Sequence, residues 1–330
     1  MKVLKWGVIG SGWISHMFAN TVKDIEGAEV YGVADIAPEL AEKFQNEFSL
    51  PVAFKSVDSM MACDEIDCIF VGTPHSSHKE MILKSVDAGK PVLCAKPIAL
   101  TSAEVEEIIS YAKKKNVLVY ENMWTEFKPC ILDAKEKIKA GVIGDIVKFE
   151  GHCSFFCEFD PNNRLFDKKR GGGSMLDVGV YAVALSQFFL GEDPVEIKAL
   201  ANVGPTGCDH TTNVIMRYNS GALSFITSGM LTDEYQEVYI VGTKGSIRIP
   251  QYWYTDRYTL EIFGKGKEEI VAEVKDESKP NERHDYLIKA FCDYVRDGKP
   301  DSDVVPMEDT LKVAKIMDEA LRQVGVIYNK

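Results

Sequence analysis

The chain has 330 residues, a length that suits two domains each able to bury its own core, and its 45% hydrophobic and 27% charged residues lie in the globular range. A formal charge of −12 repels phosphate backbones and anionic membrane surfaces, so neither nucleic acid nor membrane is an expected partner. No run of eighteen apolar residues occurs, and the most apolar helical stretch, 181–190, carries Ser186 and Gln187. The first fifteen residues place two lysines before an apolar stretch, but Gly7, Gly10 and Gly12 interrupt it, so it reads as mature sequence. Eight cysteines without a CxxC, in a chain of this size, are expected to be reduced thiols in a cytoplasmic protein.

From residue 2 to about 122, short β-rich apolar runs alternate with longer amphipathic ones, the pattern of a parallel sheet covered by helices. Strands are expected at 3–9, 29–34, 68–71, 91–94 and 117–120, with helices at 14–24, 38–48, 79–88 and 102–115 between them. Gly27 and Gly89 mark helix stops. Beyond 122 the order changes to a helix at 129–140, a strand at 146–156, a helix at 174–190 and β-patterned runs at 196–203, 213–218, 223–228, 237–241 and 246–249. Hairpin-type turns separate the last runs, so a mostly antiparallel open sheet is expected. Closing helices are expected at 283–296 and 308–323, after an exposed polar loop near 275–283. The expected architecture is α/β: a doubly wound Rossmann domain over 1–122, then an α+β domain over 123–330 for substrate binding and oligomerisation.

The first strand runs into Gly10-Ser11-Gly12-Trp13-Ile14-Ser15 and then a helix. Small residues at such a junction let a pyrophosphate approach the amides of the helix N-terminus. Ser15 replaces the usual Gly or Ala and is still small enough for close helix-to-strand packing. Asp35, twenty-three residues after Gly12, ends the second strand, where its carboxylate suits ribose hydroxyls and repels a 2′-phosphate. NAD is therefore the expected cofactor, with NADP left open because Lys43 is within reach.

Three further segments are expected where strands end on the same edge: Gly72-Thr73-Pro74-His75-Ser76-Ser77-His78, Cys94-Ala95-Lys96-Pro97, and Gly171-Gly172-Gly173-Ser174-Met175-Leu176-Asp177-Val178-Gly179-Val180-Tyr181. His75 and His78 have no third partner of metal-ligand spacing, so no metal is expected. In this order, GxGxx[AS], TPxxxH, xKP and GGGxxxDxGxY, the sequence resembles the glucose-fructose oxidoreductase/inositol dehydrogenase/rhizopine-catabolism (Gfo/Idh/MocA) family over nearly its whole length. Tyr181, Trp124-Thr125-Glu126-Phe127-Lys128-Pro129, Asn163-Arg164-Leu165-Phe166 and the ending Leu321–Val326 resemble its dihydrodiol dehydrogenase/D-xylose dehydrogenase branch.

The resemblance implies an NAD(P)-dependent oxidoreductase acting on a sugar, polyol or cyclic diol, as a homodimer or higher homo-oligomer. It places Gly10, Ser11, Gly12, Trp13, Ile14, Asp35, Thr73, Pro74, His75, His78, Ala95, Lys96 and Asn122 along the cofactor. Lys96 would contact the substrate hydroxyl and nicotinamide ribose, Tyr181 would exchange the proton, and Asp177 would orient substrate or the catalytic pair. Arg164 and the aromatic residues Trp124, Phe155 and Trp253 are further substrate candidates, since ring-shaped substrates stack on aromatic faces.

The chemistry supports these roles. Oxidising an alcohol needs a base for the O–H proton while hydride leaves carbon, and a free tyrosine, with a pKa of about 10, is too weakly ionised at neutral pH. A lysine ammonium about 4 Å away, at an effective dielectric near 20, contributes roughly 4 kcal/mol toward the phenolate before desolvation opposes it. Two positions depart from the family pattern: Ala95 stands where relatives usually have glutamate, and Glu126 where they often have arginine. Two other classes stay open, a dinucleotide-binding regulatory protein and a redox-neutral enzyme with tightly held NAD.

Overall fold

A computed structural model describes residues 2–234, 236–253, 255–271 and 284–328. The described residues form two compact units, one within Met1–Trp124 and Pro280–Met307, the other within Thr125–Lys279 and Glu308–Lys330.

In the first unit, strands β1 (Leu4–Ile9), β2 (Ala28–Ala34), β3 (Val52–Phe54), β4 (Cys68–Val71), β5 (Val92–Cys94) and β6 (Val119–Glu121) form one parallel sheet in the order β3-β2-β1-β4-β5-β6. Helices α1 (Trp13–Val22), α2 (Pro38–Phe48), α3 (Val57–Met61), α4 (His78–Asp87) and α5 (Ser102–Lys115) make the connections. Strand order reverses at β1, which opens a crevice at the carboxyl ends of β1 and β4, the usual dinucleotide position in this topology. β4 is buried at all four positions, which is why its sequence is continuously apolar. The short β3 and α3 were not expected: β3 is a half-buried edge strand of three residues, too short to carry a periodic pattern.

Residues 123–330 are expected from the sequence to form one domain, but helix α8 (Asp285–Asp297) and the chain up to Met307 belong to the first unit. Phe291 packs on Trp6 with ring centroids 5.2 Å apart, Arg296 Nη2 donates to Gly27 O at 2.7 Å, and Tyr120 Oη donates to Val305 O at 2.7 Å. Burying Phe291 contributes about 1.5–3 kcal/mol, a strong reason for the chain to return. The loop expected at 275–283 and the expected helix start at Arg283 lie outside the described residues.

The second unit begins with α6 (Pro129–Lys139) and continues through β7 (Ile146–Ser154), α7 (Val180–Leu190), β8 (Pro194–Val203), β9 (Asp209–Tyr218), β10 (Leu223–Gly229), β11 (Glu237–Gly242), β12 (Gly245–Pro250), β13 (Arg257–Ile262) and β14 (Gly266–Val271). Its eight-stranded sheet runs β14-β13-β12-β11-β7-β10-β9-β8, antiparallel except for the β7–β10 pair. Burial alternates along β9, so one face packs inward and the other faces outward. The final helix α9 (Met307–Gln323) supplies Gln323, whose side chain bonds Ala199 N and Ile197 O on edge strand β8. Such cover satisfies an edge that could otherwise pair with another chain.

Ten of the eleven residues of α7 are buried, and a Cβ at Gly151 of β7 would lie 3.0 Å from Ala182 Cβ, so glycine there lets helix and sheet meet. The stretch Lys168–Leu190 is long and apolar enough to cross a membrane, yet 94% of its most apolar window is buried inside the protein, as expected of a core helix.

Candidate active site

The crevice of the first unit is built by the turn between β1 and α1. Gly10 has φ +87°, and a Cβ there would press on Gly72 O at 3.0 Å; at Gly12 the nearest atom to an added Cβ is Gly72 O at 3.9 Å. Ser15 is fully buried against Gly72, where a Cβ would collide with the Ser15 hydroxyl, so both positions need small residues. Helix α1 has no side-chain cap and no acidic residue in its first turn, which leaves its N-terminal amides and partial positive charge for an anion. An anionic pyrophosphate fits this cradle. Asp35 is held at its edge: Oδ2 accepts from Ser11 N at 2.8 Å and Ser11 Oγ at 2.7 Å, and Oδ1 accepts from Ala37 N at 3.0 Å. Trp13 and Ile36 beside it are exposed.

Further along the same sheet edge, Thr73, Pro74 and His75 follow β4, Ala95 and Lys96 follow β5, and Asn122 follows β6. His78 was expected to touch the cofactor. Instead it is fully buried, with Nδ1 2.8 Å from Pro97 O and Nε2 2.9 Å from Thr73 O, so it braces the Thr73 loop against the Lys96 loop. Lys96 is half-buried and joined to Pro97 by a cis peptide bond. Ala95 N donates to Val71 O, and Asn122 N donates to Cys94 O at 2.6 Å, which ties the three strand ends together. Among the described residues no group of His, Cys, Asp or Glu side chains could hold a metal ion.

Two residues here were missed from the sequence. Glu121 is buried and its Oε1 accepts from Ile98 N at 2.8 Å, so a carboxylate supports the Lys96-Pro97 loop from β6 although position 95 is alanine. His284, at the start of α8, approaches Asn122 Nδ2 with Nδ1 at 3.2 Å and packs on Trp124 at 4.5 Å. Trp124 is thus a buried partner of His284, and nothing in its local sequence signalled a histidine 160 positions on.

In the second unit, the helix expected over 174–190 begins as a wider π turn, Met175–Gly179, before α7. Asp177 sits in this π turn and Tyr181 follows four residues later in the first turn of α7, the spacing that puts two side chains on one helix face, and π turns are common at functional sites. Asp177 is buried and accepts from the half-exposed Arg164, Nη1 to Oδ1, at 3.0 Å. Tyr181 is buried and meets Trp253 edge-on at 4.3 Å; Trp253 in turn stacks on Tyr252 at 5.3 Å. Complete burial pushes the Tyr252 phenol well above its ordinary pKa, so it stays neutral behind this pair. Phe155 packs against Leu165, Phe166 and Met230 instead of joining these groups.

The residues 4–123 match the model of an oxidoreductase family with an NAD-binding Rossmann fold, and 131–248 match the GFO/IDH/MocA C-terminal domain. The trans-1,2-dihydrobenzene-1,2-diol dehydrogenase of Xenopus tropicalis is 31% identical over 332 residues, spanning 98% of this chain and 99% of its own. The chain belongs to the Gfo/Idh/MocA family. Another relative, the NADP+-dependent scyllo-inositol 2-dehydrogenase IolU of Bacillus subtilis (strain 168), is 28% identical over 99% of this chain and 98% of its own. Levoglucosan dehydrogenase in complex with NADH shares the fold at a TM-score of 0.88 and 21% identity, over 98% of this chain and 97% of that one. As a Gfo/Idh/MocA protein the chain is an NAD(P)-dependent oxidoreductase, transferring hydride between a hydroxyl-bearing carbon and nicotinamide. The second departure from the family pattern, Glu126, is buried, and its charge acts on the ammonium of Lys135, which burial otherwise pushes down.

Proposed function

We propose that this enzyme oxidises a sugar, polyol or cyclic diol with NAD, and that Lys96, Tyr181 and Asp177 handle the hydroxyl proton. The observation that carries this reading is the π turn that presents a buried, Arg164-bound Asp177 one helical turn before a buried tyrosine set against an indole. Paired polar groups beside an aromatic edge suit a substrate with several hydroxyls on an apolar frame. Bound nicotinamide supplies the hydride acceptor, and the chain positions the reacting carbon and moves the proton.

In this reading Lys96 Nζ donates to the substrate oxygen and favours the ionised form of a nearby phenol. Tyr181 Oη takes the hydroxyl proton during oxidation and returns it during reduction. Asp177 accepts from a neighbouring hydroxyl, with Arg164 holding the carboxylate in place. The amides at the N-terminus of α1, Gly12 to Ile14, bind the pyrophosphate, and Asp35, held by Ser11, accepts from the adenosine ribose hydroxyls while its charge disfavours a 2′-phosphate.

The test is a cofactor-reduction screen of the purified protein at 340 nm, NAD and NADP against aldoses, inositols and trans-diols. Net NADH formation with at least one of these classes is expected, and fluorescence titration is expected to give NADH at least about tenfold tighter binding than NADPH, roughly 1.4 kcal/mol. No net reduced cofactor with any class, or the reverse cofactor order, counts against the reading.

We further propose a cytoplasmic homodimer joined through the outward face of the eight-stranded sheet. Leu200, Ile215 and Leu223, exposed at 80%, 46% and 37%, share that face through the β8–β9–β10 register. Sedimentation velocity is expected to give twice the chain mass, and Ile215→Glu a shift toward the single chain; a wild-type monomer at micromolar concentration would remove the proposal.

A further inference from the structure

Asp209, at the start of β9, lies outside every motif that pointed to the site, yet its carboxylate is fully buried. One oxygen, Oδ2, collects three donors: Ser174 Oγ at 2.7 Å, Met175 N at 2.8 Å and Thr212 Oγ1 at 2.8 Å. Met175 N is the first amide of the π turn that carries Asp177, and the turn has no side-chain cap of its own. The Ser174 hydroxyl that could serve as one is turned to Asp209 and, at 3.0 Å, to Ser228.

The triple glycine before the turn fits the same clamp. At Gly172 a Cβ would lie 2.5 Å from Leu165 O and 2.6 Å from Arg164 O, so Gly172 admits the backbone that presents Arg164. At Gly173, with φ +124°, a Cβ would collide with Asp209 Oδ1 and lie 2.6 Å from Tyr328 Oη, whose hydroxyl is bonded to Gly172 O. Asp209 and Tyr328 therefore press directly on the residue where the chain enters the turn.

We propose that Asp209 is a positioning residue that holds the π turn open and so sets the register of Asp177 and Tyr181 toward substrate. A π turn is a rare, single-turn departure from the α-helix, and closing it to α geometry would shift the register of the residues that follow. A carboxylate on the first amide opposes that closing, both by the hydrogen bond and by placing negative charge at a helix N-terminus. Burial raises the Asp209 pKa, while the three donors pull it back toward the charged form.

The proposal rests on the catalytic reading of Tyr181 and Asp177, and the experiment separates the two. Asp209→Asn, which keeps one acceptor oxygen, and Asp209→Ala, which keeps none, are compared with Tyr181→Phe in the full chain, using the substrate found in the screen. With the active fraction normalised, kcat is expected to fall about tenfold for Asn and about a hundredfold for Ala, the scale of an ångström-level misplacement, with NADH affinity within twofold of wild type. Ser174→Ala removes one of the three donors and, should Ala fail to fold, is expected to lower kcat severalfold by itself. A folded Asp209→Asn protein that loses melting temperature but keeps wild-type kcat, while Tyr181→Phe is inactive, overturns the positioning role and leaves the catalytic reading standing. An active Tyr181→Phe enzyme overturns the reading on which both rest.

Discussion

Replacing Lys96 with Met, or Tyr181 with Phe, is expected to lower kcat by about a hundredfold or more, the usual scale of lost acid–base catalysis, which is near 2.7 kcal/mol in the barrier. NADH affinity is expected to stay within about threefold in Tyr181→Phe, because dinucleotide binding is assigned to the α1 N-terminus and Asp35, while Lys96→Met still binds NADH but loses the contact of Lys96 with the nicotinamide ribose. Tyr181→Phe deletes one hydroxyl from a buried ring that keeps its edge contact with Trp253, so the fold has little reason to change. Stopped-flow absorbance at 340 nm measures the hydride step and fluorescence titration measures the cofactor. A Phe variant that retains more than a tenth of wild-type turnover would show that the proton leaves by another route, and Tyr181 would then be a packing residue beside Trp253.

Phe291→Ala is expected to destabilise the dinucleotide-binding unit by about 3–5 kcal/mol, the range for deleting a buried aromatic ring. Phe291 is 1% exposed and meets Trp6, which is itself fully buried and packs edge-on against Phe18 at 5.0 Å; Phe18 then stacks on Phe70 at 4.0 Å. A cavity at Phe291 therefore opens at the end of an aromatic row that runs through β1, α1 and β4. At about 2–4 °C per kcal/mol for a unit of this size, the melting temperature is expected to fall by roughly 6–20 °C. NADH should restore part of the loss, since it binds the folded unit alone. A decrease of less than about 2 °C in a scanning calorimeter would mean that α8 does not support the parallel sheet.

The parallel half of the molecule was legible because its signals are local. Strands buried on both faces, such as β4, read as unbroken apolar runs, and the glycine turn needs only a strand before it and a helix after it. Tyr181 and Asp177 could be marked for the same reason, since both sit in one short motif. The sequence could not reveal that both ring nitrogens of His78 lie against carbonyls, because those carbonyls belong to Thr73 and to Pro97, nineteen residues away. Glu121 was equally hidden: a glutamate at a strand end looks like a solvated charge until the amide of Ile98 is found on it.

What the sequence determined by itself was therefore the fold class and the family, and it named the candidate residues of the redox site. These depend on periodicity and on short motifs, both of which survive in one dimension. Tertiary structure alone decided that α8 belongs with the first sheet, that the helix carrying Asp177 opens as a π turn, and that Asp209 anchors it. Each of these is a contact between distant parts of the chain, where burial of Phe291 or three donors on one carboxylate outweighs any local preference. The charge of −12 illustrates the same division: it counts against anionic partners in general, while the uncapped N-terminus of α1 offers one anion a local site against that field.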